Sequence, residues 1–199
     1  MSPFDDNISD LIADVQDADM LIRAQAAYTL GMLGEPAVQP LLRLLGHDDQ
    51  DVRMRVAWAL GVIGQPALPA LFAVIDDTNS VLRSEAVRVV GVIGDSAALN
   101  HLTRALTDTD PRIAQRAATA LGKIGDNQAV QPLLAALQHS IPDVRYTVCG
   151  ALASLRSGRA IPRLERLVRE DNGVTSWGAS VAVAAQYAIQ TIRTKHTAR

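Results

Sequence analysis

A short apolar motif returns along this chain every 30 or 31 residues, and that period constrains the fold more than any other feature. The motif is an Ala-rich run such as VRMRVAWALGVIG, residues 52–64, that closes on Gly-x-x-Gly. Its five copies are anchored at Gly31, Gly61, Gly91, Gly122 and Ala153. A unit of this length cannot bury its apolar face alone, so neighbouring copies must stack. The period therefore predicts a repeat array.

Each copy predicts two helices. In the second copy, residues 52, 56, 57, 60 and 63 are apolar at helical spacing, and they follow the Asp-rich turn HDDQD, which supplies helix-capping side chains. The first helix ends at Gly-x-x-Gly, where glycine can adopt a left-handed conformation. The second helix follows as AVQPLLRLL or an equivalent run. Aromatic residues make up only 4% of the chain, which favours close packing between helices.

These patterns predict an all-α fold: an α-α superhelix of about five to six helix pairs with end caps. We expect a single domain over residues 1–199. Within it we place an N-terminal cap helix at about 4–17, repeats at about 19–170, and a C-terminal cap helix at about 177–194.

The combination of Asp-x-Val-Arg, Ala-x-x-Leu-Gly-x-x-Gly and Ala-Val-x-Pro-Leu-Leu resembles the HEAT-like repeat of the phycobilisome-lyase type. The resemblance covers roughly residues 8–193 and implies a right-handed solenoid. It also implies a structural ladder in which an arginine bridges to an aspartate of an adjacent turn, such as Asp19, Asp49 or Asp143. The ladder arginines are Arg23, Arg53, Arg83 and Arg145, and the fourth copy has Ala114 at this position.

In this family the second helices line the concave face, which is the expected binding surface. The residues that point away from the second-helix core stripe include Arg43, His101, Arg104, Arg163 and Arg166. Guanidinium groups suit carboxylates, either on an acidic protein partner or on the propionates of a tetrapyrrole. The alternative is an ordinary solvated helix face.

Three aromatic side chains form a second candidate interface. Tyr28 and Trp58 each lie three residues before an anchor glycine, and Trp177 lies near the C-terminal cap. Aromatic side chains often carry binding energy at interfaces, but packing against a neighbouring helix explains these positions equally well.

Other classes of function find little support. The net charge is −2, which provides no basic field for nucleic acid. The four histidines and the single cysteine, Cys149, show no metal-ligand spacing, so we expect no catalytic residue, metal or cofactor. No run approaches ~20 apolar residues, which argues against a membrane span. We expect a cytoplasmic protein, and the sequence leaves its oligomeric state open.

Two hypotheses of different classes follow. The first is a non-enzymatic scaffold or adaptor that binds a protein partner through its concave face. The second, implied by the resemblance, is a phycobilin lyase subunit or a chromophore-handling chaperone whose partner is a phycobiliprotein.

Overall fold

The computed structural model describes residues 3–194, and this part of the chain is built from helices without strands. The predicted all-α class of stacked helix pairs is confirmed. The helices are α1 (Pro3–Asp14), α2 (Met20–Leu33), α3 (Val38–Leu44), α4 (Gln50–Ile63), α5 (Leu68–Ile75), α6 (Ser80–Ile93), α7 (Leu99–Ala105), α8 (Pro111–Ile124), α9 (Val130–Ala136), α10 (Pro142–Leu155), α11 (Ile161–Glu170) and α12 (Val181–Thr194).

The helices divide into two compact units. Unit 1 is Met1–Asp95 and contains α1 to α6, whereas unit 2 is Ser96–Arg199 and contains α7 to α12. The division falls inside the third repeat, which gives its first helix to unit 1 and its second helix to unit 2. The expectation of one domain over residues 1–199 stays a prediction.

The first helices begin as the Asp-rich turns predict. The side chains of Asp19, Asp49, Asn79 and Asp110 each accept a hydrogen bond from a backbone N–H two residues later. These bonds satisfy N–H groups that the first turn of a helix leaves without partners. The fifth copy differs, because α10 begins at Pro142 without a side-chain cap.

The two glycines of Gly-x-x-Gly have different roles. The second glycine ends the helix with a positive φ of 72 to 76° at Gly34, Gly64, Gly94 and Gly125, as predicted. The first glycine instead lets neighbouring first helices approach closely. A Cβ at Gly31 would lie 3.1 Å from the Val62 side chain.

The second helices are shorter than their sequence pattern suggests. Each begins with a single 3-10 turn, for example Glu35–Ala37, and continues as an α-helix of 7 to 10 residues. One leucine in each of these helices is fully buried. These leucines are Leu41, Leu71, Leu102, Leu133 and Leu164.

In two copies the ladder arginine meets an aspartate of another turn, although not one of the three named: Arg23 lies 3.8 Å from Asp51, and Arg145 pairs with Asp171. In all four copies the arginine Nη1 donates hydrogen bonds to two backbone carbonyls of the preceding turn, over 2.6–3.1 Å. Asp19 and Asp49 are occupied as helix caps, and Asp143 accepts bonds from Ser176. A tight turn directs its carbonyls inward while its capping carboxylate faces the helix amides, so the guanidinium meets the main chain.

The C-terminal cap helix α12 begins at Val181, four residues later than expected. Its buried stripe includes Val181, Ala185, Ala188 and Ile192. A loop between α11 and α12 folds back on itself, with Val174 bridged to Ser180. This loop is tied to α10 through an ion pair between Arg145 and Asp171.

Asp171 accepts three hydrogen bonds. Arg145 donates to its two oxygens over 2.7 and 2.9 Å, and the backbone N–H of Gly173 donates to Oδ1 over 2.7 Å. The hydrogen bonds from Arg145 lower the pKa of Asp171 below its ordinary value. Burial opposes this change and the Gly173 bond adds to it.

We expect Asp171→Asn to destabilise the protein at pH 7 by about 1–3 kcal/mol, since the variant leaves Arg145 without its carboxylate. The pKa of Asp171 is lower in the folded state than in the unfolded state, so this stabilisation is present above about pH 4 and is lost as pH falls through the folded value. Urea unfolding at pH 7 and at pH 3 measures both effects. Glu170→Gln is the control, because Glu170 pairs with Arg166 at an exposed site. A destabilisation by Asp171→Asn that is equal at the two pH values would contradict this account.

Candidate functional site

The arginines and the histidine predicted to form a binding surface lie on second helices of both units. In unit 1, Arg43 is exposed in the last turn of α3. In unit 2, Arg104 Nη2 lies 3.1 Å from His101 Nδ1 on α7. Arg163 and Arg166 are both exposed on α11, and Arg166 donates to Glu170 over 2.7 Å.

Arg163 and Arg166 line an open cavity of about 600 Å³ within unit 2. Most of its charge is already balanced, since Arg145 pairs with Asp171 and Arg166 pairs with Glu170. Among residues 3–194, no ion pair involves Arg163. The cavity volume suits a small ligand, with one cation open to an incoming carboxylate.

A larger apolar surface lies on the first helices of unit 1. Tyr28 and Trp58 stack with ring centroids 6.2 Å apart, and 55% and 48% of their surfaces remain exposed. Met54, Val62 and Val92 are exposed beside them. Protein surfaces rarely leave several large apolar side chains adjacent and open without an interaction to make.

Met54, Trp58, Val62 and Val92 border a groove of about 670 Å³, which we call the Trp58 groove. Small residues of α2 and α4 form much of its lining, whereas Trp58 and Met54 are its bulkiest apolar residues. The groove is lined by Ala24, Ala27, Asp51, Met54, Arg55, Ala57, Trp58, Gly61, Val62, Arg88 and Val92.

Three charged residues of the Trp58 groove differ in their bonding. Arg88 donates to Glu85 over 2.7 Å. Asp51 lies 3.8 Å from Arg23 and is largely exposed. The Nε of Arg55 is buried and has no hydrogen-bond partner among the described residues. Arg88 Nη2 is also buried without a hydrogen bond, but it contacts Glu85 as an ion pair. The groove is therefore apolar, and among the described residues Arg55 is its arginine without an ion pair.

The sequence predicted an interface at Tyr28 and Trp58 but did not predict the groove beside them. One signal was available. Met32, Val62 and Val92 each follow an anchor glycine directly, and all three are exposed. The same position in the fourth copy is Lys123, so the apolar column belongs to unit 1.

Trp177 lies apart from this groove, in unit 2. Its ring meets Tyr146 edge to face with centroids 5.7 Å apart, and 56% of the residue is exposed. The contact joins the loop before α12 to α10, and Trp177 remains more than half exposed.

The described residues contain no group of three or more His, Cys, Asp or Glu side chains arranged to hold a metal ion. Cys149 is fully buried, and its burial raises the pKa of the thiol to about 12. This thiol is therefore protonated and shielded at neutral pH. Within residues 3–194, no single helix is both long and apolar enough to cross a membrane.

Solved structures with similar folds include a phycocyanin lyase complex and designed armadillo repeat proteins. The complex of CpcE and CpcF of phycocyanin lyase from Nostoc sp. PCC7120 matches with a TM-score of 0.69 and 24% identity, over 77% of this chain and 98% of that chain. A designed armadillo repeat protein in complex with the peptide (KR)4 matches with a TM-score of 0.57 and 21% identity, over 93% of this chain and 99% of that chain. At these identities the likeness concerns the fold.

No curated protein matches the chain. The family described as HEAT repeats matches it four times, at residues 8–91, 38–118, 68–141 and 99–184. These overlapping matches follow the period of the anchor positions and run through both units. The chain belongs to the HEAT-repeat family.

Proposed function

We propose that this protein is a non-enzymatic scaffold that binds a protein partner, with the Trp58 groove as its main contact surface. The observation that carries the proposal is the exposed cluster of Tyr28, Trp58, Met54, Val62 and Val92 on one face of unit 1. Aromatic and methionine side chains are enriched at protein interfaces, and aromatic residues dominate their binding energy.

The chemistry of the groove supports binding. Its lining supplies apolar contact area, and Trp58 is held in place by its stack with Tyr28. A rigid aromatic side chain loses little conformational freedom when a partner covers it. Met54 adds a flexible side chain that can adapt its shape to a partner.

The second-helix surface remains a separate proposal. It holds that Arg43 in unit 1, and His101, Arg104, Arg163 and Arg166 in unit 2, bind carboxylates of an acidic partner. We also propose a cytoplasmic location. The free, buried thiol of Cys149 is consistent with a reducing compartment.

To test the proposal, the wild-type protein and two variants are used to capture partners from a lysate of the source organism, with mass spectrometry to identify them. One variant combines Trp58→Ala and Val92→Ser; the other combines Arg43→Ala, Arg104→Ala and Arg166→Ala. We expect the principal partner to be lost with the first variant and retained with the second. Circular dichroism checks that both are folded. Full retention by the groove variant would contradict the proposal.

A chromophore-handling role is the alternative, with a phycobiliprotein as the partner. It is supported by the Nostoc phycocyanin lyase complex among the similar folds and by the cavity beside Arg163, whose size suits a ligand. Absorption spectra of a bilin mixed with the protein, with and without an apo-phycobiliprotein, test it. The absence of any spectral change would remove this alternative.

A further inference from the structure

We infer that the Trp58 groove binds an amphipathic helix of the partner protein, which lays apolar side chains on the groove floor and places a carboxylate against Arg55. This inference rests on the proposed function, because it names the occupant of the same groove. Its support comes from the shape of the groove and from the bonding of its charged residues.

The shape of the groove matches a helix. On α4, Met54, Trp58 and Val62 follow one another at intervals of four residues and form a ridge about 12 Å long. Beside it, Ala57 and Gly61 of the same helix keep the floor low. Helices pack by placing a ridge of one into a groove of the other, at an axis separation of about 8–10 Å. A helix of about three to four turns would cover this ridge.

The neighbouring first helices continue the pattern. On α2, Ala24 and Ala27 line the same groove, and on α6 Val92 forms its far edge. Val92 is 60% exposed, so its apolar surface is accessible to a partner. The occupant therefore meets apolar surface from three helices and must itself present a broad apolar stripe.

The charges of the groove select an acidic residue in that helix. Arg88 already forms an ion pair with Glu85, whereas Arg55 is half-buried in the groove lining and forms no ion pair among the described residues. A guanidinium without a counter-ion at an apolar groove favours an anionic partner group, and a carboxylate is the strongest acceptor that a protein partner can bring. Arg55 lies one residue beyond Met54, at the border of the apolar ridge. The carboxylate should therefore lie at the edge of the apolar stripe.

The test uses a Trp177→Phe background. The chain has two tryptophans, so this change leaves Trp58 as the only one. The probes are three synthetic 16-residue helical peptides with one leucine stripe, labelled with fluorescein, that differ only in carrying Glu, Gln or Lys at the border of the stripe. Binding is read from the anisotropy of the label and from the emission wavelength of Trp58.

We expect the Glu peptide to bind about 10-fold more tightly than the Gln peptide and to shift Trp58 emission to shorter wavelength. Arg55→Gln should remove the preference for Glu, and Arg55→Glu should transfer it to the Lys peptide. This reversal of charge preference is a readout that a merely weakened fold cannot produce. Trp58→Ala should abolish binding while leaving the helical circular dichroism unchanged.

Three other results would overturn the inference in different ways. Equal binding of all three peptides would remove the acidic preference but leave the groove as a docking surface. Binding of none of them, with the cellular partner still lost in the groove variant, would exclude a helical occupant while the proposed function stands. Self-association in sedimentation velocity that disappears in Trp58→Ala would assign the groove to a second copy of this chain.

Discussion

Replacing Leu60 by aspartate is expected to unfold much of unit 1. Leu60 has no exposed surface, and its helix α4 packs against α2 and α6. An unpaired charge at this position would lose its hydration without gaining a partner, which costs more than about 4–5 kcal/mol. Since a typical domain is stable by only about 5–15 kcal/mol, the helices of unit 1 should separate together.

Far-UV circular dichroism and the thermal midpoint measure this loss. Met54→Asp is the matched control, because it introduces the same charge into the same helix at a residue that is 51% exposed. The control should keep the helical signal and the melting temperature of the wild type within a few degrees. A folded Leu60→Asp variant would show that the core of the repeats has been placed on the wrong face of α4.

Replacing Gly122 by alanine is expected to destabilise unit 2 by about 1–3 kcal/mol, although alanine favours a helix more than glycine does. The added Cβ would lie 2.8 Å from the Cα of Ala151, which is a backbone atom and cannot rotate away. Helices α8 and α10 would have to move apart. Their separation would loosen apolar contacts along both helices.

Gly150→Ala, on the neighbouring helix α10, is expected to raise the stability of the protein instead. Gly150 is exposed within α10, and a Cβ there would meet nothing within 4 Å. This substitution should stabilise the protein by about 0.5–1 kcal/mol through helix propensity alone. Urea unfolding of the two variants decides the point. A gain in stability for both would mean that the first glycine of the motif does not set the distance between helices.

The period of the anchor positions was sufficient to predict the class of the fold and the pairing of its helices. The apolar residues of one copy, from Val52 to Leu60, also predicted the buried face of α4 correctly. Periodicity carries this information because the same contacts recur between successive copies. Periodicity could not distinguish the two glycines of the motif. The second is required by a positive φ, and the first is required by the short distance to the next helix.

Contacts made by single side chains were harder to predict. The family resemblance implied that the ladder arginines bridge to aspartates such as Asp19, Asp49 or Asp143. Instead, Nη1 of each arginine binds main-chain carbonyls, and the carboxylates that Arg23 and Arg145 meet are those of Asp51 and Asp171. The Trp58 groove was missed because it depends on three helices that are about 30 residues apart in sequence. That Arg55 lines this groove without an ion pair can be recognised only from the contacts of the folded chain.

Because the ladder uses carbonyl acceptors, its bonds do not depend on which side chains the accepting residues carry. The two residues that accept from the arginine are Asp17 and Ala18 in the first copy but His139 and Ser140 in the fifth. In both copies the acceptors stand six and five positions before the arginine. Substitutions in these turns can therefore accumulate without disturbing the alignment of the helices, whereas an insertion or a deletion of one residue would break it. Such a scaffold can acquire new turn surfaces by point mutation, while the constant number of residues in each turn keeps the helices aligned.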